Sequence, residues 1–256
     1  MEQKQLKGES MGLYSFSAMK GSELRALDGD VGSVRDFLFE DDEWDIRYLV
    51  ADTGVWLPGR KVLLSPAALQ DPDWSSGTIP VDLTREQIKN SPDITTDQPV
   101  SQQMQANLAA YYGWPFLPTY PYMPAGGFVP PPITDVGNLT IAPEPPLEGP
   151  QLRSCQEVIG YAIMARDGEI GDVKDFIIDT ANWKISLVIV DTGRWLPGRK
   201  VLLSAGNMRH LSWNARSLSV NLTREQVQGS PEYDSKTPVN VEYEKRVLDY
   251  YGRPRS

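Results

Sequence analysis

Apolar and polar residues alternate in short bursts along this chain, and the same bursts return 139 positions later. Residues 31–40 and 170–179 are rich in Val, Ile and Phe and follow Asp-Gly turn signals, so each reads as a strand. Residues 44–52 and 183–191 read as the next strands. In a period-two reading Ile46, Tyr48 and Val50 share one face, with Leu49 and Ala51 on the other. The second copy is apolar on both faces, Ile185, Leu187 and Ile189 against Val188 and Val190, which predicts a strand covered on both sides. The pattern assigns Ile46, Tyr48, Val50, Ile185, Leu187 and Ile189 to the interior and the other side to a helix or the sister unit. A further strand is predicted over 77–83 and 218–222.

Each unit then turns helical. Thr84 with Gln87, and again Thr223 with Gln226, make Thr-x-x-Gln capping boxes for a short helix that stops before Ser-Pro. A longer helix follows, with Thr237 as its predicted cap and Pro238 at its first position. Its apolar stripe is Val239, Tyr243, Val247 and Tyr250, matched by Val100, Met104, Leu108 and Tyr111, and Gly113 or Gly252 ends it.

The strongest repetition joins these elements. DTGVWLPGRKVLLS at 52–65 returns as DTGRWLPGRKVLLS at 191–204. Leu57-Pro58-Gly59-Arg60 has Pro and Gly where a type II turn needs them, so the block predicts a β-hairpin with Gly59 and Gly198 at positive φ. Without a gap, 28–65 and 167–204 agree at 21 of 38 positions, and the register runs on to Tyr111-Tyr112-Gly113 and Tyr250-Tyr251-Gly252. The chain therefore divides into repeats at 11–115 and 150–254 with a connector at 116–149: a duplicated domain. Of the 21 prolines, 11 lie in 115–150. Pro115, Pro118, Pro121 and Pro124 keep the polyproline II period, which puts Trp114, Leu117, Tyr120 and Met123 on a second face expected to lie on a barrel.

Charge narrows the function classes. A net charge of −9 argues against a broad phosphate-binding surface, so no nucleic-acid partner is expected. The single Cys155 excludes internal disulfides and, standing opposite Phe16 of the other repeat, reads as a small buried hydrophobe. The polar opening residues hold no signal peptide, and eight prolines in the uncharged window 98–134 exclude a continuous membrane helix, so a cytoplasmic location is expected. Asp-Thr-Gly occurs twice, as an aspartic-protease mechanism would need, but each copy runs at once into a second turn. Asp28, Asp30 and Asp36, with Asp167, Glu169 and Asp175, lack EF-hand spacing. His210 is the only histidine. No catalytic constellation, cofactor or metal site is found. The recurring basic residues Arg60, Lys61, Arg85, Arg199, Lys200 and Arg224 are the candidates for partner binding.

At VGSVRD (31–36) and IGDVKD (170–175), each followed by a strand and the LPGRKVLLS block, the chain resembles the PRC-barrel family, the small β-barrels of the photosynthetic reaction-centre H subunit and of a ribosome-maturation factor. The resemblance covers roughly 14–83 and 153–222. It implies a mainly β protein: two small PRC-like barrels in tandem, each followed by a short and a longer C-terminal helix. A non-catalytic protein-binding or assembly module follows from it; the partner expected is a protein, and the recurring basic residues suit an acidic one. The alternatives are a peripheral component of a membrane complex and a hydrolase with its site between the barrels.

Overall fold

The computed structural model describes residues 12–73, 76–91, 152–193, 195–234 and 239–252. They form a mainly β molecule of two mixed sheets with a C-terminal helix. The first repeat contributes β1 (Leu13–Ser15), α1 (Phe16–Met19), β2 (Glu23–Ala26), β3 (Gly29–Glu40), β4 (Ile46–Asp52), β5 (Lys61–Leu64), β6 (Thr78–Pro80) and α2 (Arg85–Lys89). The second contributes β7 (Leu152–Ser154), α3 (Cys155–Val158), β8 (Ala162–Ala165), β9 (Gly168–Asp179), β10 (Lys184–Asp191), β11 (Lys200–Ser204), β12 (Met208–Ser212), β13 (Ser217–Val220), α4 (Arg224–Gln228), β14 (Glu232–Tyr233) and α5 (Val241–Tyr250). The sheet orders are β5-β4-β3-β2-β6 and β12-β13-β8-β9-β10-β11-β14. Pairs β2–β6 and β8–β13 are parallel and the rest antiparallel.

The repeats exchange their first strands. β3 and β9 are each 12 residues long, and only the first part of each pairs with its own β2 or β8. The free edge of the last part takes the other repeat's arm: β1 lies on β9 with Leu13 opposite Asp179, and β7 lies on β3 with Leu152 opposite Glu40. Both registers map onto each other at the 139-residue offset, which describes a pseudo-two-fold relation. The short helix after each arm drops its apolar residues, Phe16 and Met19 or Cys155 and Val158, into the interior. One continuous core results, with Phe39 and Trp44 of the first repeat 5.8 and 6.4 Å from Phe176 of the second. Cys155 is fully buried, as its place opposite Phe16 predicts, and burial pushes its thiol well above the usual range.

At the pseudo-axis the backbone is strained. Trp44 and Trp183 adopt φ of 65° and 53°, values that cost a bulky residue roughly 1–3 kcal/mol each. The conformation aims each carbonyl across the junction: Trp44 O accepts from Ile185 N at 2.9 Å and Trp183 O from Ile46 N at 2.8 Å. Arg153 also pairs with Asp41 at 2.7 Å, both side chains largely buried, and Lys184 lies 3.2 Å from Asp45.

The expected strands are present, but their faces need correction. The register slips between Leu38 and Phe39 and between Ile185 and Leu187, leaving Arg47 and Ser186 as bulged residues. A bulge shifts the alternation by one, so Ile46 shares the interior with Leu49 and Ala51, and Ile185 with Val188 and Val190. Leu187 and Ile189 instead join Ile177 and Leu202 on the outer face, under Val247 and Leu248 of α5. Tyr48 is half-buried, and Val50, although buried, lies outside both apolar clusters. A helix does therefore cover the outer side of the second sheet. Both capping boxes form as expected. The long helix starts later than expected, at Val241, because Asn240 rather than Thr237 caps it by accepting from Tyr243 N at 2.8 Å. Thr237, Pro238, the matching stretch 100–111 and the connector lie outside the described residues.

An exchange of this kind holds the repeats together without the connector. A protease site inserted between residues 126 and 140 and cleaved in the folded protein should leave both halves co-eluting at the uncut mass by size-exclusion chromatography with light scattering. Separation into halves at micromolar concentration would contradict it.

Candidate functional site

The sequence block repeated at 52–65 and 191–204 builds the same corner twice. Asp52 Oδ1 accepts from Gly54 N and Asp191 Oδ1 from Gly193 N, both at 3.0 Å, closing an Asx turn. The Thr53 hydroxyl, fully inside the loop, lies 2.7 Å from the carbonyl oxygens of Leu57 and Arg60, and Thr192 repeats this with Leu196 and Arg199. Gly59 and Gly198 sit at φ 78° and 77° in turns closed by Arg60 N to Leu57 O at 3.1 Å and Arg199 N to Leu196 O at 3.0 Å, as predicted. The aspartates of the Asp-Thr-Gly motif thus hold a turn.

The six candidate basic residues divide by role. Arg199 donates to the carbonyls of Gln228 and Ser230 at 2.7 and 2.6 Å, and Arg60 donates to those of Lys89 and Ser91. Each guanidinium plugs the C-terminal end of a short helix, where carbonyls lack partners. Arg85 lies over Trp56 at 4.8 Å and Arg224 over Trp195 at 5.3 Å, pinning the loop on the helix through a cation–π contact. Lys61 and Lys200, half-buried, open β5 and β11. The structure therefore gathers Arg60, Lys61 and Arg85 at one corner and Arg199, Lys200 and Arg224 at the other. Val55 at the tip of the first loop is 97% exposed. The stacked tryptophans were not singled out from the sequence; their signal was a Trp at the same place in both loops.

The Gly-x-Val-x-Asp element has a different task. A Cβ on Gly32 or Gly171 would stand 2.0 Å from the carbonyl oxygen of Asp52 or Asp191, so only glycine lets β3 and β9 pass there. Val34 and Val173 enter the core. Asp36 reaches the other repeat, accepting from the Ser154 hydroxyl and from Gln156 N at 3.1 Å, while Asp175 accepts from the Ser17 hydroxyl and Ser17 N. Each aspartate caps the helix of the exchanged arm. Burial holds the Asp36 carboxyl above its ordinary 3.8, against the lowering effect of its hydrogen bonds and of Lys20. Asp28 and Asp167 cap in the same way, receiving Arg85 N at 2.7 Å and Arg224 N at 2.8 Å.

A cleft of about 430 Å³ opens at the junction. Asp42, Glu43 and Trp44 of the first repeat face Lys184, Ser186, Asp179, Met208 and Arg209 of the second, with Glu244 and Leu248 of α5 below. Glu244 accepts from the Ser186 hydroxyl, and Lys184 spans Glu43 at 3.8 Å and Asp45. Nothing in the sequence marked this cleft, because its walls come from four separate stretches. Among the described residues no group of His, Cys, Asp and Glu could hold a metal ion, and no helix is long and apolar enough to cross a membrane.

Comparison with known proteins covers part of the chain. Residues 150–224 match the family model described as the PRC-barrel domain. A protein of Deinococcus radiodurans named only as uncharacterised is 34% identical over 85 residues, which is 33% of this chain and 30% of that relative's length. The match thus spans about a third of either protein.

Two predictions follow from this geometry. Arg199→Met should cost roughly 1–3 kcal/mol, because two carbonyls lose charged donors, whereas Lys200→Ser should stay within about 0.5 kcal/mol. Urea midpoints measure both, and equal effects would refute the clamp. For Asp36 the sign runs downward with pH. Its folded pKa lies above 3.8, so the stability it lends is complete below 3.8 and is lost as pH rises through the folded value. Asp36→Asn lacks this titration. Between pH 3 and 7 wild type should therefore lose urea stability relative to Asp36→Asn; a gain would mean that hydrogen bonding outweighs burial.

Proposed function

We propose that the chain is a non-catalytic protein-binding or assembly module built from two PRC-like barrels. On this reading the first repeat is a diverged second copy of the domain matched at 150–224. Its identity to the second at 21 of 38 core positions and the equivalent β2–β5 and β8–β11 hairpin order support that. The observation that carries the module reading is the duplicated corner. The exchange sets two like corners on one body, and each is tied internally by turn, clamp and stacked pair. A surface ordered before binding loses little entropy on docking, and two such surfaces raise avidity for a symmetric or repeated partner.

The test uses the exposed loop tip and the two lysines that open β5 and β11. Val55→Asp, Lys61→Glu and Lys200→Glu together should cut recovery of the captured partner from host extract at least about fivefold, through lost charge and apolar contact. Circular dichroism should stay unchanged. Undiminished recovery would remove the corners from binding. A second reading, hydrolysis in the junction cleft, draws on its carboxylates Asp42, Glu43, Asp179 and Glu244. It expects turnover of a chromogenic ester or phosphate that Glu244→Gln abolishes, and lack of turnover across such a panel would end it.

A further inference from the structure

The repeats share a fold but not a charge. Residues 11–115 hold 16 Asp and Glu against 8 Lys and Arg, whereas 150–254 hold 13 against 14. The difference is concentrated: from Thr192 to Arg224, 33 residues contain no acid and six Lys or Arg, while the equivalent 53–85 balance Asp71, Asp73 and Asp82 against Arg60, Lys61 and Arg85. Part of that stretch is the β12–β13 hairpin, whose counterpart among the described residues of the first repeat pairs only through the isolated bridges Leu69–Val81 and Asp73–Thr78. Where β12 has His210-Leu211-Ser212, the first repeat has Asp71-Pro72-Asp73, and a proline cannot donate to a ladder.

Within the acid-free stretch the cations are not equivalent. Arg199 and Arg224 serve the corner. Arg209 is the extra residue at a bulge in β12, and Arg216 ends the hairpin turn with its guanidinium 5.3 Å over the Tyr161 ring; both are exposed and, among the described residues, neither forms an ion pair, so each keeps its charge uncompensated. Between them Trp213 is 50% exposed at the turn and His210 is exposed on the strand. An exposed Trp flanked by arginines is the composition of interface centres. β12 is also the outermost strand of its sheet among the described residues, so its backbone can pair with an added strand.

We propose that the β12–β13 hairpin is the docking element for an acidic polypeptide, with Trp213 as its anchor and Arg209 and Arg216 as its electrostatic guides. The proposal rests on the binding-module reading and names the partner's chemistry at a separate surface. A polypeptide is favoured over nucleic acid for two reasons. A free strand edge offers hydrogen bonds that only a peptide backbone returns, and a phosphate chain would be repelled by the −9 body beyond the local patch.

The probe is a fluorescein-labelled twelve-residue peptide of alternating Glu and Val, titrated by anisotropy into the full chain at about 50 mM salt, where screening is weak. A labelled oligothymidylate is run in parallel. The peptide should bind in preference to the oligonucleotide. Trp213→Ser should weaken it about tenfold, as loss of an anchor does. Arg209→Ser with Arg216→Ser should weaken it similarly and flatten its salt dependence, with circular dichroism unchanged. Absent binding, equal binding by the variants, or tighter binding of the oligonucleotide would overturn the proposal. Failure here while the corner variants still lower partner capture sinks the hairpin and spares the module; failure of both sinks both.

Discussion

The structure depends on the unfilled edge at the end of each 12-residue strand. β3 and β9 outrun their own neighbours, and an exposed strand edge is open to pairing with whatever strand reaches it. Each repeat fills the other's edge with a three-residue strand and a one-turn helix. Backbone pairing, the burial of Phe16 and Cys155, and the caps from Asp36 and Asp175 all arise from that step. The left-handed tryptophans at the axis make sense only there, since their carbonyls serve the opposite repeat. The molecule has the geometry of a strand-exchanged dimer joined into one chain.

A fused pair is free to diverge in ways that a symmetric dimer is not. The turn of the first repeat, Glu40 to Asp45, is acidic and receives Arg153 and Lys184 from the second, while the equivalent turn of the second is nearly neutral. Complementary charge favours pairing between unlike repeats over pairing between like ones. The hairpins diverged as well: β12–β13 is basic, whereas its counterpart in the first repeat carries Asp71, Pro72 and Asp73. The corners did not diverge, and the reason is internal. Asp, Thr, Trp, Gly and Arg each hold the loop, and the single differing position, Val55, is the exposed one.

Much of this was legible in the sequence. The duplication, the strands, the Gly59 and Gly198 turns and the capping boxes follow from local chemistry, and local chemistry is what a sequence displays. The faces of Leu187 and Ile189 were not legible, because a bulge at Ser186 leaves no mark in an apolar run. Glycine at positions 32 and 171 could be noticed, but its cause, the Asp52 and Asp191 carbonyls 2.0 Å from any Cβ, lies on another strand. Asp36 looked like a solvated strand residue because the helix it caps is 118 or more residues away. The basic residues were found as a set, yet their division into clamps, stacked cations and strand-opening lysines needs the positions of Lys89, Ser91, Trp56 and their counterparts.

The central claim is that the exchange makes the two repeats one cooperative unit, and scanning calorimetry of the full chain tests it most directly. A single unit requires the calorimetric and van't Hoff enthalpies to agree within error, in one transition. A calorimetric enthalpy about twice the van't Hoff value, or two resolved transitions, would mean that the repeats unfold independently and that the exchange does not bind them.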